Sequence, residues 1–266
     1  MTKFAADTAV TPSGPGRYRA SVNRDWWIAF GPNGGFIAAI VVRALQAAVG
    51  DDERIPRSLT IHYTAAPAEG ALEVATTIER AGRSLTTVSG RVEQDGKLIA
   101  LAIGAFSRDR SAGIEFDDAR APDVASPEDA FVIEQDPRMP PFSAQWDMRA
   151  AIGGPPFAAG DEAVVGGWIR PREPQPLDAA LVSQLTDAWF PAVFRRLDAP
   201  NPVPTIDLTI HFRSQLPLPP DWVLVRFVSR VARHGFVEED GELWSRDGTL
   251  IAQSRQLALL RAPSAT

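Results

Sequence analysis

The sequence predicts an α+β protein made of one strand-and-helix unit written twice, and three observations predict it. Two sequence blocks recur at nearly the same offset. One helix-length segment in the first half has no polar face. Both halves carry alternating apolar and polar stretches joined by Asp-Gly turns, the pattern of antiparallel strands.

The recurring blocks are short but ordered. SLTIHYTAAP (residues 58–67) and DLTIHFRSQLP (207–217) share Leu-Thr-Ile-His-aromatic, 149 residues apart. DGKLIA (95–100) and DGTLIA (247–252) stand 152 residues apart. A period this long lies well outside the solenoid range of about 20–50 residues, so it indicates a duplicated domain. The predicted boundaries are a first unit over residues 15–110, a linker over 111–143 and a second unit over 144–262.

The first unit opens on a strand-like stretch at residues 26–30, followed by GPNGG. Residues 36–49 are largely apolar and Ala-rich, with no polar face over 36–42, which predicts a helix buried nearly all round. Leu59, Ile61 and Tyr63 alternate with Thr60 and His62, a half-buried strand. Strands follow at 72–78, 84–94 and 97–106, with Asp95-Gly96 as a hairpin turn. The second unit repeats the plan. A strand ends at residues 168–170, and Asp178 is a fitting N-cap for a helix over 179–190. Strands follow at 205–212, 223–231, 241–244 and 250–260, with Asp247-Gly248 as the turn. Residues 108–143, rich in Pro, Asp and Ala, read as the linker. One buried helix followed by about four strands in meander order, with a strand ahead of it, lets the sheet wrap the helix. That is the hot-dog arrangement, and two in tandem make a double hot dog.

Composition narrows the function. The 266 residues hold 45% hydrophobic and 23% charged residues, with a net charge of -6. An acidic chain without a Lys/Arg cluster is a poor binder of nucleic acid. There is no cysteine, which excludes disulfides, zinc thiolates and cysteine nucleophiles, and three histidines offer little for a metal site. The N-terminal residues have no apolar signal core, and the longest apolar run, FIAAIVV, stops at Arg43. A cytoplasmic location without membrane partners is the expectation.

On FGPNGGFIAA, SLTIHYTAAP and DGKLIALAIGAF in the first half, and LTDAWFPAVF, PTIDLTIHF and DGTLIAQSRQ in the second, the chain resembles the acyl-CoA thioesterase II family, the TesB-like double-hot-dog thioesterases. The resemblance covers residues 17–261. It implies hydrolysis of acyl-CoA to free acid and CoA by a water held between an Asp, a Thr and a Gln. Those roles fall on Asp187, Thr205 and Gln256. No cofactor or metal is implied, and self-association is expected by analogy with other hot-dog proteins. The chain departs from the best-known members, which carry FGGQ where Gly31 to Phe36 stand here; this bears on the oxyanion and CoA contacts.

The residues carry their own argument. Thioester hydrolysis needs a nucleophilic water, a base and a stabiliser of the oxyanion. Residues 31–50 hold no carboxylate, whereas Asp187 stands beside Trp189 and Phe190, with Pro191 unable to donate to the residue-187 carbonyl. An exposed helix Asp is the competing reading. Alternation puts Gln256 on an inward face with Ala252, Ser254 and Ala258. The same rule places Thr205 opposite Ile206, Leu208, Ile210 and Phe212, on the polar face with Asp207, Thr209 and His211. Gly34 and Gly35 offer N–H groups to a substrate oxyanion or phosphate, or are there for steric reasons. His62 and His211, matched in the repeat, read as inherited packing. An acyl tunnel beside the helices is expected. The rivals are a hot-dog hydratase, which wants a His beside the Asp, and a non-catalytic acyl-CoA or lipid binder.

Overall fold

The computed structural model describes residues 1–110 and 113–260. Residues 111–112 of the expected linker and 261–262 of the expected second unit lie outside the described residues. A short helix α1 (Lys3–Asp7) leads into a hairpin of β1 (Thr11–Gly14) and β2 (Arg17–Val22). In β2, Tyr18, Ala20 and Val22 are buried and the residues between them exposed, a period of two. This strand, and not residues 26–30, precedes the buried helix. Residues 24–26 make a single 3-10 turn, and the chain then doubles back so that the Asn33 N–H donates to the Trp26 carbonyl. The loop lets Trp26 stack on Phe36 with ring centroids 5.1 Å apart. Close packing of two large rings overrides the strand propensity of the segment.

Helix α2 (Gly34–Val49) is capped by Asn33, whose Oδ1 accepts from the Phe36 N–H, and it ends at Gly50 in the left-handed region (φ 63°). Every residue from Phe36 to Val42 is buried, as an all-apolar surface requires. The strands after it are β3 (Ile55–Tyr63), β4 (Gly70–Ala81), β5 (Thr86–Gln94) and β6 (Lys97–Ser107). Asp95 and Gly96 both have positive φ, 50° and 77°, which matches a tight primed turn. The sheet order is β2-β4-β5-β6-β3, all antiparallel. The expected simple meander is therefore corrected. The helix lies across the sheet and connects its two edges, so the strand that follows it joins the far edge, beside β6.

The second half contains β7 (Phe131–Val132), β8 (Trp146–Gly153), β9 (Val164–Pro171), α3 (Ala179–Leu185), β10 (Thr205–Phe212), β11 (Val223–Val228), β12 (Ala232–Arg233), β13 (Phe236–Ser245) and β14 (Leu250–Leu259). Its order, β9-β11-β13-β14-β10, repeats the order of the first half. Part of the expected linker is built into this sheet. β7 pairs with β8, the Phe142 N–H donates to the Trp27 carbonyl, and Phe142 and Trp146 pack on Trp26.

Asp178 caps α3 as expected, its Oδ1 accepting from the Leu181 N–H at 2.8 Å. The helix stops at Leu185, not near Phe190. The N–H groups of Asp187 and Ala188 reach back only three residues, to Gln184 and Leu185. Pro191 cannot supply the bond that would hold a further turn. Asp187 therefore sits in the turn beyond the helix.

The two units join edge to edge. β3 and β10 pair antiparallel, with Thr60 opposite Thr209 and their hydroxyls 3.0 Å apart. The shared Leu-Thr-Ile motif thus pairs with its own copy about a pseudo-twofold axis. His62 and His211 flank it as exposed residues, so they are not core packing. Under the joint sheet, α2 and α3 run antiparallel. Arg43 of α2 meets the α3 cap Asp178 at 2.9 Å, and Gln184 of α3 meets the α2 cap Asn33 at 2.6 Å. Buried residues of both units form one cluster. No helix among the described residues is long and apolar enough to cross a membrane.

The cap makes a direct expectation. Asp178→Ala removes the Leu181 contact and the Arg43 partner, and should lower stability by about 1–2 kcal/mol; chemical denaturation measures it.

Candidate active site

The turn after α3 delivers Asp187 to the N-terminus of α2, across the boundary between units. Asp187 Oδ2 accepts from Asn33 Nδ2 and from the Gly35 N–H, both at 2.9 Å. Asn33 Nδ2 also donates to the Asp187 main-chain carbonyl at 2.7 Å. The orientation of the Asn33 amide is set by its other end, which accepts from Phe36 N–H and from Gln184 Nε2. A carboxylate at a helix N-terminus is favoured by the free N–H groups and the dipole there.

Burial nonetheless dominates the ionisation of Asp187. Its pKa is pushed up to about 6 by desolvation, against the pull of the Gly35 N–H, Asn33, the Gly34 N–H and the Gln256 side chain. The residue keeps a window to solvent while protein atoms surround its carboxyl. Tyr63 stands beside it, its hydroxyl donating to the Gly34 carbonyl at 2.8 Å. Burial, and then the charge of Asp187, hold that phenol well above its ordinary range.

Gln256 comes from β14, inward with Ala252, Ser254 and Ala258, as alternation predicts. Thr205 does not follow its alternation. A β-bulge interrupts the pairing of β10 with β14, so that Thr205 faces Ala258 while Asp207 faces Leu257 and Leu208 faces Gln256. The extra residue turns Thr205 onto the inward face. Its hydroxyl donates to Gln256 Oε1 at 2.9 Å. The three expected residues are thus brought together: Thr205 bonds Gln256, and Gln256 in turn stabilises the Asp187 carboxylate.

The structure adds residues that sequence reasoning missed. Glu239 of β13 is buried, accepting from Gln256 Nε2 at 2.8 Å and from the Ala192 N–H at 2.5 Å. Its pKa is raised to about 7, first by burial and then by the Asp187 and Glu238 charges. Buried Gln184 and the cap Asn33 complete the Asp187 clamp. Glu239 had a faint signal, a carboxylate on the inward parity of its strand. Asn33 had one too, as the polar residue before an apolar helix.

Gly34 and Gly35 are needed for close approach. A Cβ on Gly35 would lie 2.7 Å from the Gln184 carbonyl oxygen, and one on Gly34 would lie 3.0 Å from Asp187 Oδ2. The Gly35 N–H expected for substrate is occupied by Asp187. The acyl tunnel expected beside the helices is not one of the two clefts described. The larger, about 290 Å³, lies on the outer face of the second sheet, where Arg226 and Arg230 are already paired with Glu242 and Asp240.

Both halves of the chain match known proteins. Residues 23–107 match the family model for the acyl-CoA thioesterase N-terminal domain, and residues 117–260 that for the acyl-CoA thioesterase C-terminal domain. A solved structure from Alicyclobacillus acidocaldarius, a conserved protein of unknown function with a hot dog fold, superposes with TM-score 0.88 at 28% identity, covering 99% of each chain. An acyl-CoA thioesterase II, TesB2, from Mycobacterium marinum superposes with TM-score 0.79 at 20% identity, covering 98% of this chain and 99% of that one. An uncharacterized protein of Mycobacterium tuberculosis is 24% identical over 92% of this chain and 91% of its own.

A pKa raised from 3.8 to about 6 has a signed consequence for stability. The folded state binds this proton more tightly than the unfolded one. The associated stability is present below about pH 4 and lost as pH rises through 6. Asp187→Asn keeps the shape without the charge. It should melt above the wild type at pH 8, by ~2 kcal/mol or less, and the gap should narrow at pH 5 in thermal melts.

Proposed function

The chain belongs to the acyl-CoA thioesterase family, and on that premise we propose that it hydrolyses acyl-CoA thioesters to free acid and CoA with a water activated by Asp187. The observation that carries the reading is a carboxylate in a half-buried residue, held on Oδ2 by Asn33 and Gly35 and favoured in its ionised form by Gln256, which Thr205 bonds. The bonds from Asn33 and Gly35 both fall on Oδ2, and Oδ1 is assigned to take the proton. Thr205 spends its own proton on Gln256, so its oxygen lone pairs are also acceptors. A water donating to Asp187 and Thr205 presents its own lone pair to the thioester carbonyl.

In the proposed reaction the water oxygen bonds to the carbonyl carbon while Asp187 takes its proton. The tetrahedral intermediate then expels the CoA thiolate, and Asp187 returns the proton to sulfur. A base with a pKa near 6 is ionised at neutral pH and still acidic enough to give the proton back. Asn33, Gly34 and Gly35 are assigned to holding the base. The exposure of all three histidines weighs against a hydratase, which would pair a His with the Asp.

A panel of acyl-CoAs with a free-thiol readout tests the reading, and a binder without turnover would release none. Asp187→Ala should lose roughly a hundredfold or more of kcat/KM while keeping the far-UV circular dichroism of the wild type. Full activity in that variant sinks the assignment. In the wild type, kcat/KM should rise with pH through about 6 as Asp187 loses its proton and level off above. A flat profile from pH 5 to 8 would remove Asp187 as the base.

A further inference from the structure

Glu239 is a second buried carboxylate that this reaction does not use as base, nucleophile or acid. Its two oxygens have different partners. One accepts from the Ala192 N–H, a backbone donor that cannot turn round, and the other accepts from Gln256 Nε2. Gln256 is thereby fixed at both ends. Its NH₂ faces Glu239 and acts on Asp187 as well, while its Oε1 faces the Thr205 hydroxyl. With both groups ionised, turning the amide over would put Oε1 against two carboxylates. It would also put a donor against Thr205, whose oxygen would then accept from Gln256 and whose proton would be released toward the water, so that the hydroxyl would no longer offer the water both lone pairs.

We propose that Glu239 is a positioning residue for the hydrolysis, its carboxylate holding the Gln256 amide in the one orientation that leaves Thr205 and Asp187 both free to accept from the attacking water. The proposal rests on the thioesterase reading above for its kinetic consequence, but the orientation of the amide stands on its own. The residue comes from β13, the bond to Ala192 from the segment after Asp187, and Gln256 from β14. Glu239 therefore ties the two strands to the turn that carries the base. Its own ionisation answers to Asp187 and Glu238, the charges that bear on it, and to the two donors it accepts from.

Two variants separate positioning from packing. Glu239→Gln is nearly isosteric, but its amide must give its oxygen to the Ala192 N–H and so presents NH₂ to Gln256, which turns the Gln256 amide over. Glu239→Met removes the acceptor without offering a donor, and Asp187 and Thr205 then still favour the original orientation. The expected result is that Glu239→Gln lowers kcat roughly tenfold or more with KM within about twofold, and melts no lower than wild type at pH 8. Glu239→Met should lose less kcat and more thermal stability. In a Gln256→Ala background, Glu239→Gln should change kcat by less than about twofold, since the residue acts through Gln256. Wild-type kcat in Glu239→Gln overturns the proposal, as does an undiminished effect in the Gln256→Ala background or a greater kcat loss in Glu239→Met. If wild-type protein releases thiol from no acyl-CoA, the thioesterase reading fails, and nuclear magnetic resonance decides the positioning separately. The side-chain amide signals of Gln256, identified by their loss in Gln256→Ala, should move in Glu239→Gln and stay near wild type in Glu239→Met. Signals unmoved by Glu239→Gln overturn the proposal on that arm.

Discussion

Two helices buried along most of their length have to be covered on nearly every side, and the rest of the architecture follows from that. One five-stranded sheet can wrap only part of a helix such as α2, whose residues from Phe36 to Val42 are all buried. The remaining side is closed by the other helix. The pairing of β3 with β10 makes this possible, because it turns two sheets into one continuous surface and sets α2 and α3 antiparallel beneath it. The polar contacts then fall at the ends: Arg43 with Asp178 at one, Asn33 with Gln184 and Asp187 at the other. Asn33, Asp178 and Gln184 sit where the helices end and backbone groups are available, and Arg43 reaches Asp178 from within α2.

The same arrangement sets the ionisation of the two carboxylates. Asp187 and Glu239 are both buried enough for desolvation to raise their pKa values, to about 6 and about 7, although each accepts hydrogen bonds. A fully solvated Asp would be too weak a base for neutral water, and one without donors would stay protonated. The donors from Asn33 and Gly35 set the balance between these limits. The two groups share Gln256, and the charge of Asp187 adds to the burial that raises Glu239. Stability is given up to hold two such groups in place, as is usual at sites of chemistry.

Duplication followed by unequal use accounts for the division of labour. Both helices begin on a side-chain cap, Asn33 in one unit and Asp178 in the other. The Asp178 cap forms an ion pair with Arg43 and serves the fold. Asn33 does two tasks at once, capping α2 through Oδ1 and gripping Asp187 through Nδ2. The first unit, without a carboxylate in its helix region, supplies the holder, and the second supplies Asp187, the proposed base, with Thr205 and Gln256. Neither copy is complete without the other.

Local rules determined much of this in the sequence itself. The apolar run of residues 36–49 specified α2, Asp178 specified the start of α3, and Asp95-Gly96 and Asp247-Gly248 specified hairpins, since each depends on residues adjacent in the chain. The inward position of Gln256 followed from alternation in an unbroken strand. The sheet order was decided by the tertiary structure, because a helix that crosses a sheet chooses which edge the next strand joins. So was the early end of α3. The bulge between Thr205 and Asp207 reversed an alternation that was locally sound, since it depends on the register against β14 and not on β10 alone. The partners of Asp187 lie about 150 residues away along the chain, and Glu239 reaches the site from a neighbouring strand. Covalent proximity informs a sequence reading, but a buried carboxylate is made functional by groups that only the fold brings within 3 Å.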